Sequence, residues 1–255
     1  MKDKRVIKNN FSRSAKFYDQ YATVQNLCAD ELISRVEDNQ TSQILELGCG
    51  TGNFTKLLYN KFPQARITAV DISREMVEIA KRRFGNNQVK FVIADAEQKD
   101  FIRGFDLICS NASLQWFVNV ERTLARYKAS LKKNGIFLFS IFGPQTYGEL
   151  DSCLKELFAK DIRVEAGDFF TQAGLKEILT GLFFKTTIVR KIYKERYKTL
   201  WELLQKIKYT GTRGNGVYAR KFWTGAMIKK LEQVYLKKYK QIIATFEVFF
   251  CAGVK

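Results

Sequence analysis

Short apolar runs alternate with amphipathic stretches along the chain from about residue 43 onward. In the amphipathic stretches, apolar residues recur every three or four positions, which is the spacing of one helix face. The runs between them have the length and the β-branched and aromatic content of strands. We predict strands at residues 43–48, 65–72, 88–95, 105–111 and 135–142, and helices in NFTKLLYNKF, SREMVEIAKRRF and VERTLARYKASL. This alternation predicts right-handed βαβ units and a parallel sheet covered by helices.

The pattern changes on both sides of this α/β core. Before it, residues 11–36 carry helical periodicity. After it, two further helices are predicted, the second capped by Thr171. Two late strand patterns, FFKTTIVRKIYKERY and IIATFEVFFCAGV, are separated by a long helix-rich excursion. We predict an antiparallel hairpin at the edge of the sheet, with its helical connection folded over the top as a cap.

These patterns divide the chain into four predicted parts. They are an N-terminal helical lid at residues 1–42, a core at 43–198, a helical cap insertion at 199–240 and a final core strand at 241–255.

Composition narrows the chemistry that the chain can perform. No apolar run reaches the roughly eighteen residues that span a bilayer, and the start MKDKRVIKNN lacks the apolar stretch of a secretory signal. We therefore expect a cytoplasmic protein that does not enter a membrane. The five cysteines form no CxxC pair, so free thiols are expected. Histidine is absent, which excludes Ser-His-Asp hydrolases, Cys-His proteases and His-ligated zinc enzymes. We expect no metal site.

The formal net charge of +17 is unevenly distributed. Residues 185–240 hold sixteen lysines and arginines against three glutamates, a net charge of +13. Such a basic lobe indicates an anionic partner, namely nucleic acid, an anionic lipid surface or an acidic protein. The alternative is a lysine-rich surface without a dedicated partner.

Three glycines follow the first predicted strand in ILELGCGTGNF. We call Gly48, Gly50 and Gly52 the glycine loop. The loop lies at the carboxyl edge of the sheet, where open α/β folds bind ligands against bare backbone. Asp71 ends the second strand, nineteen residues after Gly52, and can accept both hydroxyls of a ribose. The third glycine of a dinucleotide fingerprint and the Gly-Lys-Ser/Thr of a P-loop are both missing.

The motif E-x-G-x-G-x-G resembles the cofactor loop of class I S-adenosylmethionine-dependent methyltransferases. Three further landmarks agree in order: the acid after strand two, the acid in IADAE after strand three, and FDLICSNASLQWF at strand four. The resemblance implies a Rossmann-like α/β fold with a seven-stranded, mostly parallel sheet and helices on both faces. It also implies S-adenosyl-L-methionine as the cofactor.

The same resemblance implies roles at the methionine and ribose end of the cofactor. The glycine loop would cradle the amino acid part, and Glu46 would order the loop. Asn111 would line the methionine side, and Asp71, with Ile72 next to it, would hold the ribose hydroxyls. The residues alone also allow Glu46, Asn111 and Asp71 to do no more than satisfy local backbone groups.

At the adenine end, the resemblance implies that Met76 packs against the base. Asp95 would accept the adenine amino group, with Ala96 beside it.

Four further segments resemble those of a narrower family. FSRSAKFYDQYATVQ, SNASLQWF, KYTGTRG and FWTGAMIKKLEQVY are together similar to the malonyl-acyl carrier protein O-methyltransferases of biotin synthesis. That family usually has Lys-x-x-Gly-Ala where this chain has Lys208-Tyr-Thr-Gly-Thr. Ser-Leu-Gln-Trp is also similar to the trans-aconitate methyltransferases.

Methyl transfer to a carboxylate suits a chain without histidine, because the nucleophile is already ionised at neutral pH and needs no general base. We expect Phe17, Tyr18 and Tyr21 to form an aromatic lid over the cofactor. The candidate catalytic residues are Tyr18, Gln115, Trp116, Lys208 and Arg213. Tyr18 would orient the acceptor, Gln115 and Trp116 would line its entry, and the two basic residues would bind a carboxylate or phosphate. The tyrosines and Trp116 equally fit ordinary packing, and the two cations equally fit a solvated surface.

The partner implied by the resemblance is an acidic acyl carrier protein that carries malonyl-phosphopantetheine, and the basic lobe would steer its approach. We expect a monomer. Three alternatives stay open: a free small-acid methyltransferase of the trans-aconitate type, a nucleic-acid methyltransferase, and a cofactor-binding protein without catalysis. The nucleic-acid alternative is disfavoured because strand four does not end in Asn/Asp-Pro-Pro-Tyr/Phe.

Overall fold

The computed structural model describes residues 3–36, 41–84, 89–101, 104–158, 164–210 and 224–255. The strands are β1 Gln43–Leu47, β2 Arg66–Asp71, β3 Val89–Ile93, β4 Phe105–Ser110, β5 Leu131–Phe142, β6 Lys185–Tyr197 and β7 Ile242–Val254. The helices are α1 Lys4–Ser14, α2 Tyr18–Tyr21, α3 Thr23–Ser34, α4 Asn53–Lys61, α5 Arg74–Lys81, α6 Val120–Ser130, α7 Gly148–Phe158, α8 Gln172–Leu182, α9 Leu200–Tyr209 and α10 Gly225–Tyr239.

The seven strands form one sheet in the order β3-β2-β1-β4-β5-β7-β6. Strands β1 to β5 are parallel, and β7 lies antiparallel between β5 and β6. The order reverses between β1 and β4, and in open α/β sheets the crevice at such a switch point binds the ligand. The predicted seven-stranded, mostly parallel sheet is confirmed. Its carboxyl edge at β1 and β4 is the expected position of the site.

The late hairpin is confirmed as well. β6 pairs with β7 from Lys185 opposite Val254 to Tyr197 opposite Ile242. Helices α9 and α10 lie in the connection between these strands. The predicted boundaries of lid, core and cap stay a prediction.

β5 begins four residues earlier than the sequence pattern predicts. The polar stretch after Leu131 conceals the strand, but Leu131 itself is buried and pairs with Phe105 of β4. The register then shifts before Leu107 pairs with Ile136. Between these two pairs β4 advances two residues and β5 advances five, so extra residues in β5 interrupt the apolar alternation that sequence analysis relies on.

Both faces of the sheet are covered, which explains why the central strands read as continuous apolar runs. Ile44 of β1 packs into the cluster formed with α3, α4, α7, α9 and α10. Leu45 and Leu47 pack into the opposite cluster with α6 and α8. Burying each such side chain contributes about 1.5–3 kcal/mol. In the described residues, no helix has both the length and the apolar character needed to cross a bilayer.

The N-terminal segment is helical but broken into three pieces. α1 begins at Lys4, where the Asp3 side chain accepts from the backbone N–H groups of Arg5 and Val6. The rings of Phe17 and Tyr21 pack on Tyr209 of α9, each with centroids 4.9 Å apart. The predicted aromatic lid is therefore wrong for these two residues, which join the N-terminal segment to α9.

Candidate functional site

The glycine loop connects β1 to α4 through three left-handed residues. Gly48, Gly50 and Gly52 have φ of 75°, 54° and 87°. A Cβ at Gly48 would overlap the Ser113 hydroxyl, whereas a Cβ at Gly50 would meet nothing within 4 Å. Gly48 is thus required by close packing and by φ, and Gly50 by φ alone. The backbone at Gly50 borders open space, as a ligand-binding loop should.

A cleft of about 660 Å³ lies between this loop and the N-terminal segment. The cofactor residues predicted from the sequence that line it are Gly48, Gly50, Asp71, Ile72, Met76, Asp95, Ala96 and Asn111. The structure therefore brings eight of the ten together around one cavity. Their roles toward a cofactor stay predictions.

Two carboxylates face this cleft from the ends of neighbouring strands. Asp71 accepts from the backbone N–H of Gly50 at 2.9 Å and of Ser73 at 2.8 Å, one bond to each oxygen. Burial raises the pKa of Asp71, and these backbone donors partly offset that effect. Asp95 accepts from the Glu97 N–H at 2.9 Å. Each carboxylate keeps lone pairs for a ligand hydroxyl or amino group.

The remaining two predicted cofactor residues lie outside the cavity lining. Gly52 begins α4, where an added Cβ would stand 3.1 Å from the Cβ of Ala80. Glu46 is buried in β1 and accepts from the Thr55 hydroxyl at 2.6 Å. Burial raises the pKa of Glu46 to about 8. The pair ties β1 to α4 on either side of the loop, which supports the predicted ordering role of Glu46.

Asn111 is held by hydrogen bonds to two different elements. Its side-chain nitrogen donates to the backbone oxygen of Gln25 at 2.9 Å, and its oxygen accepts from the Ser140 hydroxyl at 2.7 Å. The amide therefore links the end of β4 to α3 and β5. Ala112 follows in a left-handed conformation with φ of 49°.

The N-terminal segment closes the cleft with residues that sequence analysis only partly found. Tyr18 lines the cavity, as do Lys4, Ile7 and Phe11, which were missed. Ile7 and Phe11 stand four positions apart on α1, so helical spacing was the available signal. Lys4 donates to Asp95 at 3.1 Å and pairs with Glu97, which fixes α1 over the end of the cleft that Asp95 lines.

Burial, with the nearby Asp71 and Asp19 carboxylates, raises the pKa of Tyr18. Its hydroxyl is therefore protonated throughout the physiological range and can donate a hydrogen bond. Within the described residues, no hydrogen-bond partner engages that hydroxyl.

A second polar link, also missed, holds α2 against the glycine loop. Asp19 accepts from the Thr51 hydroxyl at 2.6 Å and from the Asn53 amide at 3.1 Å, and it pairs with Arg83. Tyr18 is thereby placed beside the loop.

Trp116 lies on the boundary between the cleft and a second, smaller cavity, which we call the second compartment. The Trp116 ring packs edge-on against Phe11 and Phe169, with centroids 6.0 and 5.6 Å apart. The second compartment is lined by Gln25, Trp116, Phe142, Thr146, Tyr147, Val164, Glu165, Ala166, Phe169, Ile207 and Phe246. Trp116 thus contributes to the walls of both cavities.

The other candidate catalytic residues are placed differently. Gln115 is buried outside both cavities, and its amide nitrogen donates to the Ala112 oxygen at 2.6 Å. Lys208 lies on the exposed side of α9, with its Nζ 5.0 Å from the Tyr209 ring centroid. The cation that α9 buries is Lys206, which pairs with Glu195 and lines neither cavity. Arg213 lies outside the described residues.

Comparison with known proteins places this site in a family. Residues 45–139 match the model of a methyltransferase domain. The malonyl-[acyl-carrier protein] O-methyltransferase of Acetivibrio thermocellus is 35% identical over 100% of this chain and 95% of its own length. The protein of the same name from Priestia megaterium is 44% identical over 83% of this chain and 82% of its own. The chain belongs to the malonyl-[acyl-carrier protein] O-methyltransferase family.

The domain model and the curated relatives match different lengths of this malonyl-[acyl-carrier protein] O-methyltransferase family member. The domain model spans β1 to β5, whereas the Acetivibrio relative also matches the N-terminal segment and the cap. Among solved structures, phosphoethanolamine N-methyltransferase 2 of Haemonchus contortus, bound to phosphomonomethylethanolamine and S-adenosylhomocysteine, superposes with a TM-score of 0.60. It is 17% identical and covers 97% of this chain and 59% of its own. The Rossmann-like methyltransferase fold is confirmed.

Proposed function

We propose that this protein transfers the methyl group of S-adenosylmethionine to the free carboxylate of malonyl-acyl carrier protein. The observation that carries the proposal is the junction at Trp116. There a cleft with the donor set for an adenosyl cofactor meets a second compartment, in a chain whose relatives of that name match it along its whole length. The product is a methyl ester.

The residues of the cleft fit the cofactor by their chemistry. Asp71 accepts the two ribose hydroxyls, since its other bonds are already made to backbone N–H groups. Asp95 accepts the adenine amino group, and Met76 and Ala96 offer the base an apolar wall. The amino acid part lies along the bare backbone at Gly50 and near Asn111. When bound there, S-adenosylmethionine supplies an electrophilic methyl carbon on a positively charged sulfur.

The acceptor needs position more than proton transfer. With the cofactor bound, the carboxylate oxygen would form a C–O bond as the methyl–sulfur bond breaks, the bonding pair would stay on sulfur, and the two opposite charges would cancel. A site that excludes water favours such a charge-cancelling step. The protonated Tyr18 hydroxyl donates to the carboxylate and orients it, and Trp116 forms the wall that aligns it.

The other candidates act around this centre. Gln115 fixes the turn after β4 through its bond to the Ala112 oxygen. Lys208 belongs to the basic surface that docks the carrier, and Arg213 remains a candidate for the same role.

The partner is an acidic acyl carrier protein, drawn to the exposed cations of β6 and α10. All five cysteines are buried free thiols, in keeping with a reducing, cytoplasmic setting. The protein acts as a monomer, and nucleic acid is not its acceptor.

A labelled-methyl assay tests this function. The protein is incubated with methyl-labelled S-adenosylmethionine and separate samples of malonyl-acyl carrier protein, malonyl-CoA, trans-aconitate and bulk RNA. We expect base-labile label on the carrier, weaker labelling of malonyl-CoA, and none with Asp71→Ala. Label on trans-aconitate or RNA in place of the carrier would overturn the assignment.

A further inference from the structure

Gln25 lines the second compartment and carries a buried side-chain oxygen without a hydrogen-bond partner in the part of the chain that the structure describes. The residue is 5% exposed and lines that cavity, and its Oε1 atom has no hydrogen-bond partner within the described residues. A buried carbonyl oxygen without a partner costs roughly 1–3 kcal/mol, so such groups need an explanation. The backbone oxygen of Gln25 is already engaged by Asn111. The backbone of Gln25 is therefore held next to the cleft, and its Oε1 is left without a partner among the described residues.

The other groups of the second compartment indicate what kind of ligand fits. The Thr146 hydroxyl is engaged by the backbone of Glu247 at 3.2 Å. Among the described lining residues there is no lysine or arginine, and the acid Glu165 is present. The remaining lining is mainly aromatic and aliphatic. These surroundings repel a carboxylate and favour a neutral, partly apolar ligand that brings an N–H donor.

The acyl carrier's arm has that chemistry next to the malonyl group. The malonyl group is joined through a thioester to a short, neutral chain whose nearest polar group is a secondary amide with one N–H. If the carboxylate lies in the cleft beside Trp116, this thioester and amide must lie on the other side of the Trp116 boundary.

We propose that the second compartment binds the thioester and the adjoining amide of the carrier's arm, and that Gln25 Oε1 accepts the hydrogen bond of that amide. This proposal rests on the proposed function. It makes Gln25 a specificity-determining residue, because a free small acid has no such N–H and leaves the oxygen unpaired. Sites built to pair a ligand N–H discriminate strongly against ligands that lack it.

Two malonyl thioesters of matched length test this inference without the carrier. One is malonyl-N-acetylcysteamine, which has the amide, and the other is a malonyl alkyl thioester, which lacks it. We expect wild-type kcat/KM to be about tenfold higher for the amide substrate, or roughly 1.4 kcal/mol. Equal kcat/KM values on the two would overturn the proposal before any variant is made.

Variants locate the effect at the side chain. Gln25→Leu should remove the tenfold preference by lowering only the amide substrate's kcat/KM. Affinity for S-adenosylhomocysteine, measured by calorimetry, should stay within about twofold. The control Gln172→Leu, on the exposed start of α8, should change nothing. An equal loss on both substrates in Gln25→Leu would show a packing role and refute the inference.

The two proposals fail in different ways. Labelling of trans-aconitate or RNA instead of malonyl-carrier would contradict the proposed function. If the carrier is methylated normally and Gln25→Leu keeps the substrate preference, only the assignment of the second compartment is contradicted.

Discussion

The Asp71 carboxylate is oriented before any ligand arrives, because the backbone at Gly50 and Ser73 holds one oxygen each. An oriented acceptor loses little conformational freedom when it binds. Its buried position also makes an unpaired charge costly, so a ligand hydroxyl relieves a penalty that the free protein carries.

Replacing Asp71 should therefore weaken cofactor binding. We expect Asp71→Ala to raise the Kd for S-adenosylmethionine at least tenfold, since hydrogen bonds to a charged group contribute about 1.5–3 kcal/mol. Isothermal calorimetry measures this directly. Asp30→Ala, on the exposed side of α3, serves as the control. An unchanged affinity in Asp71→Ala would remove the carboxylate from the site.

A substitution at Tyr18 tests the role of its hydroxyl in turnover. Tyr18→Phe removes the hydroxyl and keeps the ring, so kcat on malonyl-carrier should fall about tenfold or more while cofactor affinity stays within about twofold. Tyr21→Phe is the matched control, because Tyr21 stacks on Tyr209 and does not line the cleft. Full activity of Tyr18→Phe would mean that the tyrosine only packs.

Between elements, the Glu46–Thr55 hydrogen bond joins β1 to α4 and carries a pH signature. The Glu46 pKa is raised from 4.5 to about 8 by burial. Glu46 therefore stabilises the fold fully below about pH 4.5, and this contribution is lost as pH rises through about 8.

We expect the free energy of unfolding of the wild type to fall between about pH 5.5 and about pH 8.5. This fall should be absent in Glu46→Gln. A pKa difference contributes about 1.4 kcal/mol per unit, so the effect should reach a few kcal/mol. Urea unfolding at both pH values measures it. Glu78→Gln, at an exposed position on α5, should follow the wild type. The same pH slope in Glu46→Gln and wild type would contradict the raised pKa.

Elements were easier to predict from the sequence than their contacts. The order of strands follows from alternating patterns, and Asp71 follows from its distance to the glycine loop. Tyr18 and Tyr21 look equivalent in sequence, yet one lines the cleft and the other packs on the cap, because that depends on where α9 lies. Gln25 carried no signal, since a glutamine in an amphipathic helix looks like any polar position. Such residues become visible only when distant elements are brought together.

At the scale of the whole molecule, charge is concentrated at one end of the sheet. The late hairpin and the cap carry most of the net positive charge, whereas β3 forms the other edge. Because the Debye length is about 8 Å at physiological salt, exposed cations act mainly on the rate of encounter.

Activity on malonyl-carrier should therefore fall steeply with ionic strength, and activity on malonyl-CoA less so. The measurement is kcat/KM from about 0.05 to about 0.5 M salt. Charge reversal of Lys229 and Lys237 on α10 should reduce the carrier slope, whereas reversal of Arg82 and Lys90 near β3 should not. Equal slopes for the two substrates would remove the docking argument.

The packing of Tyr209 against Phe17 and Tyr21 has a consequence for the order of events in turnover. The N-terminal segment, which closes the cleft, packs on the same helix that contributes Ile207 to the second compartment. An acceptor bound in the second compartment would therefore hold α9 and the N-terminal segment in place, and the cofactor could not then enter or leave the cleft. We expect a compulsory sequence in which the nucleoside enters first and departs last. Initial-rate patterns should then show S-adenosylhomocysteine competing with S-adenosylmethionine but not with the carrier, and competition with both would contradict this order.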